Sequence, residues 1–134
     1  LIEVIEHLNH EQIREILSSA AKILKKDGEL VITTPNYLSS WPILEQIISY
    51  TLKPSYEEQH ITKFTFFNFL SKIRKIYPDF DKEFKIEFKS TSHLVSFLIA
   101  TFSDNFAQKL SKAIKASNWK MPFGAILMVK IKKI

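Results

Sequence analysis

The 134-residue sequence has no cysteine. That excludes disulfides, thiolate metal ligands and a cysteine nucleophile, and it fits a reducing compartment, so the cytoplasm is the expected location. Glycine is almost as scarce, with only Gly28 and Gly124 in the whole chain. A loop that cradles a phosphate or a dinucleotide needs several glycines close together, so that backbone amides can approach the ligand. Neither kind of loop can be built here. No apolar run nears the roughly 20 residues of a membrane helix; the most apolar, LVSFLIATF at 94–102, is short and broken by Ser96. No membrane partner is therefore expected.

What is present is a moderately basic, apolar-rich chain of a size that fits one core. Nineteen Lys and Arg stand against 14 Asp and Glu, a formal net charge of +5. Such an excess mostly marks a solvated lysine face, and a basic nucleic-acid-binding domain would need aromatic and basic recognition motifs that the sequence does not show. Ile13, Ile16, Leu17, Ala20, Ile23 and Leu24 recur at helical spacing. Asn9 with Gln12 can form a capping box, and Gly28 supplies a left-handed stop. ELVITTPN then reads as a strand over 29–34 ended by Pro35. A helix carrying Leu44, Ile47, Ile48 and Leu52 follows. Another runs through Phe66, Phe69, Leu70, Ile73 and Tyr77 after a Thr65 cap. FKIEFKS alternates, with Phe84, Ile86 and Phe88 expected inward, and predicts a half-solvated strand over 84–90. A helical stretch over 91–118 and a strand over 123–132 complete the order, which argues α/β.

The opening LIEVIEHL sets Glu3, Glu6 and His7 in an otherwise apolar stretch. If the segment is helical, their spacing puts them on one face. Two carboxylates and a neutral imidazole, joined by His60 from EEQHITKFT, make an oxygen and nitrogen site for Mg²⁺ or another divalent metal. The alternative is that Glu6 and His7 only cap and hydrogen-bond their loop.

EVIEHL, ILKKDGELVITTPN and HITKFTFFNFLSKI together resemble the C-terminal half of class I S-adenosylmethionine-dependent methyltransferases, in particular the ubiquinone-biosynthesis O-methyltransferase-like group. The chain departs from that pattern at Lys26, Asp27 and Gly28, where the family has Pro, Gly, Gly. The resemblance implies half of a Rossmann-like, three-layer α/β/α sheet, with the last strand antiparallel and inserted between the other two. It also implies an open edge along Leu30 to Thr34. Leu1, Ile2 and Glu3 would face S-adenosylmethionine from one side, while Tyr37 and Trp41 would face a small-molecule methyl acceptor. Some relatives use a metal to orient acceptor oxygens. The family's glycine-rich cofactor loop would lie upstream of Leu1, so the chain alone is expected to be inactive. It is also expected to pair with that other half, or with a second copy, through the exposed sheet edge. No catalytic residue is assigned by the resemblance. A rival expectation is a non-catalytic module derived from such an enzyme.

Overall fold

A computed structural model describes residues 1–43, 45–46, 59–92, 103–113 and 122–134. The expected stripe Leu44, Ile47, Ile48 and Leu52, together with His93, Ile114 and Trp119, lies outside the described residues.

Three strands, β1 (Glu29–Pro35), β2 (Phe84–Ser92) and β3 (Ile126–Lys133), form one open sheet in the order β1-β3-β2. β3 is antiparallel to both neighbours, with Ile32 opposite Val129 and Thr91 opposite Leu127. The last strand therefore enters the middle, and its alternation shows it: Leu127, Val129 and Ile131 are fully buried. The structure is mixed α/β around this antiparallel sheet.

Helix α1 (His10–Ile23) starts at the expected capping box, in which Asn9 and Gln12 exchange side chain to backbone bonds of 2.9 Å in both directions. Its buried Ile13 and Leu17 join Phe69, Ile73 and Ile76 of α2 (Phe69–Ile76) and Phe80 of the single turn α3 (Phe80–Glu83) in one core with the sheet. Thr65 and Asn68 bond each other's backbone amides ahead of α2, at 2.8 and 3.1 Å. A last helix, α4 (Asp104–Ala113), buries Ala107.

Three expectations are corrected. α1 stops at Leu24, whose backbone is extended at φ −69° and ψ 132°; the left-handed residue of the turn that follows is Asp27, with φ +64°, while Gly28 stays outside the left-handed region. Glycine is needed there for space, since a Cβ would lie 2.8 Å from the Lys25 carbonyl oxygen. In β2, pairing jumps between Ile86 and Phe88. Glu87 is thus an extra residue, and a one-residue bulge reverses the alternation: Phe88 is turned outward and Lys89 is half-buried. The edge along β1 is partly covered as well. Leu1 to Glu3 run parallel to it, with the Thr33 amide donating to the Leu1 carbonyl at 2.8 Å and the Glu3 amide donating to the Thr33 carbonyl at 3.2 Å.

Candidate metal centre

The segment 1–3 and β1 run side by side, and the chain leaves both in the same direction. Carboxyl ends of parallel strands are where open α/β folds collect ligand-binding side chains. From the first comes a single 3₁₀ turn, Ile5–His7; from the second come Asn36 and Tyr37. A third segment, 59–66, closes over them. It is stitched down where the Thr62 amide donates to the Glu6 carbonyl at 2.9 Å and the Thr62 hydroxyl donates to the Leu8 carbonyl at 2.7 Å.

Asn36 organises this junction. Its amide nitrogen donates to the carbonyls of Pro122 and Gly124 at 2.7 and 2.8 Å, and its side-chain oxygen accepts from the amides of Phe66 and Leu38. Every polar group of a fully buried asparagine is thereby satisfied. Gly124 itself lies tight against β2, where a Cβ would sit 2.5 Å from the Ser92 carbonyl oxygen.

The result is that Glu6, His7 and His60 each bring a ligand atom into a space where all three lie within 4.8 Å of one another. The two imidazole rings are 4.8 Å apart between centroids, inclined at 53°. Glu6 is 1% exposed and His60 4%. His7 Nδ1 lies 2.8 Å from the Gln59 carbonyl oxygen, which can only accept, so Nδ1 carries the proton and Nε2 the lone pair. That Nε2 is 3.8 Å from Glu6 Oε1. Glu6 Oε2 is buried without a hydrogen-bond donor. Burial pushes the Glu6 carboxyl up from the usual carboxylate range, and the nearby Glu3 charge adds to this, while backbone bonding, the neighbouring Thr34 hydroxyl and His7 oppose it. Glu3, expected as a further ligand, stays outside the cluster of three. Its φ of +49° puts it before the 3₁₀ turn rather than on a shared helical face, because the helix that would have aligned it does not form.

Around His60 lies a group that sequence reasoning missed in part. Tyr37 Oη, Glu45 Oε1 and His60 Nδ1 make a closed triangle with sides of 2.8, 2.7 and 2.7 Å. Burial lowers the His60 pKa from its ordinary value, with Glu45 opposing and His7 and Lys63 reinforcing the shift. Trp41 stands beside the same ring at 6.5 Å. Tyr37 and Trp41, expected to face the acceptor, thus both pack around His60. Glu45 carried no sequence signal beyond its place in a helical stretch. Leu1 and Ile2 lie along β1, with the Leu1 amino group donating to the Val31 carbonyl at 2.9 Å.

No family model, curated protein or solved structure matches the chain. No helix among the described residues is long and apolar enough to cross a membrane.

Proposed function

We propose that the chain is the acceptor-side half of a class I S-adenosylmethionine-dependent methyltransferase, a Rossmann-like three-layer fold when complete, in which a divalent cation orients the acceptor. The sequence resemblance is its first support. The observation that carries it is the convergence of Glu6, His7 and His60 at the carboxyl end of two parallel segments. The antiparallel β3 inserted between β1 and β2 agrees with the same kinship.

The donor set fits a cation. Two imidazoles and a buried carboxylate whose Oε2 has no donor leave negative charge that a metal would compensate. They suit a transition divalent ion better than Mg²⁺, which prefers oxygen ligands. Glu6, His7 and His60 would hold such an ion, which when bound would polarise an acceptor oxygen as a Lewis acid. Methyl transfer needs in-line positioning above all, so side chains that hold the acceptor oxygen still do most of the work. The acceptor class this favours is a small molecule with an oxygen able to reach the cation.

S-Adenosylmethionine supplies the electrophilic methyl group, but these residues do not make its full site. Both glycines are taken up by packing against Lys25 and Ser92, which leaves no glycine-rich loop; Leu1, Ile2 and Glu3 would meet the cofactor from one side. A second reading, a non-catalytic module that pairs with another chain, draws on the exposed apolar side chains Ile2, Val4 and Val31 beside this edge. Calorimetric titration with S-adenosylmethionine, run beside light scattering, separates the two. The chain alone is expected to bind Mn²⁺ but not the cofactor, and to bind the cofactor once the cofactor-binding half is supplied. Micromolar cofactor binding by a monodisperse monomer of this chain would overturn the division between halves.

A further inference from the structure

The triangle of Tyr37, Glu45 and His60 is unusual for its closure. Three polar atoms at mutual distances of 2.7 to 2.8 Å have only two hydrogens to share between them. Glu45 Oε1 has lone pairs alone, so it accepts from the tyrosine hydroxyl and from the imidazole. The tyrosine oxygen then turns a lone pair toward the same Nδ1–H. This arrangement admits one tautomer of His60, with the proton on Nδ1 and the lone pair on Nε2. His7 is set the same way by the Gln59 carbonyl.

We propose that Glu45 and Tyr37 are positioning residues which lock His60 as its Nδ1–H tautomer and present Nε2 as the ligand nitrogen. The inference deepens the cation-site reading and rests on it for its consequence, though the lock itself exists without a metal. A histidine ligand whose other ring nitrogen donates to a carboxylate has a fixed orientation and a more basic donor atom. Glu45 supplies the negative charge for that purpose from a position 3% exposed, where the bond is not diluted by water. Tyr37 Oη lies within hydrogen-bond distance of both the carboxylate oxygen and the imidazole nitrogen, so it holds the pair from one side. The two histidines are thus anchored by different acceptors: a backbone carbonyl, which mutation cannot remove, and a carboxylate, which it can.

The test uses the full chain labelled with ¹⁵N and long-range ¹H–¹⁵N correlation of the imidazole rings, with Co²⁺ as the metal probe read by visible absorption. In the metal-free protein His60 is expected as the Nδ1–H form. Glu45→Ala is expected to release it into a mixture of tautomers and to weaken Co²⁺ binding by about 10- to 100-fold, the usual effect of removing such a partner. Glu45→Gln keeps an acceptor at the same place, so it should restore the tautomer and part of the affinity. It also carries the test if the alanine chain does not fold. Tyr37→Phe should give a smaller loss of affinity with the fold unchanged. An Nε2–H form in the wild type, or Co²⁺ affinity in folded Glu45→Gln and Tyr37→Phe equal to wild type, would overturn the proposal. A locked His60 that Glu45→Ala releases, in a wild-type chain that takes up no Co²⁺, would uphold the lock and remove the cation centre instead.

Discussion

The two ends of the sheet use the same kinds of side chain to opposite effect. At the Pro35 end, Glu6, Glu45, His7 and His60 are gathered with Tyr37, and all but His7 and Tyr37 are buried. At the Glu29 end, acids and lysines form a ladder across β3: Asp27 with Lys132 at 3.1 Å, Glu29 and Glu87 with Lys130 at 3.2 and 2.8 Å, and Glu83 with Lys133. The ladder's side chains keep contact with water, where ion pairs contribute little and are screened by salt. The cluster has fewer charges but less water, so each bond there is fixed and each missing one is expensive. A solvated ladder adds little to stability; a dry cluster of unequal partners is where chemistry can be tuned.

The largest expected break in this contrast comes from Glu45→Leu. It would remove the charged acceptor that the Tyr37 hydroxyl and the buried His60 Nδ1–H share, at a cost on the order of 2 kcal/mol for the lost hydrogen bonds to a carboxylate. Urea unfolding would register this as a lower midpoint. A variant as stable as wild type would mean that the triangle is not formed in solution.

Next in size are opposite responses to pH in the metal-free protein. Glu6 has its folded pKa raised by burial, so its share of stability is present below the ordinary carboxylate pKa and is lost as pH rises through the folded value. Asp27 and Glu87 have theirs lowered, foremost by hydrogen bonds to Lys132 and Lys130; their share, small because solvent screens both groups, is present above the ordinary carboxylate pKa and is lost as pH falls through the depressed values. Denaturation midpoints collected from about pH 3 to about pH 8 should therefore separate the regions. Glu6→Gln should flatten the loss on the alkaline side and leave the acid side alone. An unchanged alkaline slope in that variant would remove Glu6 from the account.

The smallest effects belong to the ladder. Asp27→Asn, which keeps a residue tolerant of the left-handed backbone at φ +64°, should leave the melting temperature near that of wild type, as should Glu87→Gln. Raising sodium chloride to about 1 M should reduce what little the ladder contributes without affecting the His60 contacts. A large drop in stability from either substitution would show that the contrast between the two ends is drawn too sharply.

Much of the scaffold was legible because period and capping chemistry are local. The Asn9 box, the strands at β1 and β3, and the apolar faces of α1 and α2 follow from side-chain spacing alone. The bulge at Glu87 was not legible, since one inserted residue leaves the letters of FKIEFKS alternating while the backbone changes phase. Gly28 was read as a left-handed stop, but Asp27 took that conformation and left glycine to solve a contact with Lys25. At the site, the meeting of His7 and His60 across more than fifty residues was expected from the resemblance and from chemistry. Glu3 was grouped with them on a helical face that a 3₁₀ turn of three residues does not provide. Glu45 was invisible because nothing local marks a glutamate in a helical stretch as the acceptor for a histidine 15 residues away; only the packing of Tyr37 and Glu45 against His60 brings them together.

Manganese titration followed by nuclear magnetic resonance tests the central claim most directly, because a bound paramagnetic ion broadens the signals of its own ligands first. The account predicts that about one equivalent of Mn²⁺ erases the ring protons of His7 and His60 while those of His10, on the exposed start of α1, persist. Broadening that begins instead at the exposed acids Asp27, Glu29 and Glu87, with the rings of His7 and His60 still sharp, would contradict it.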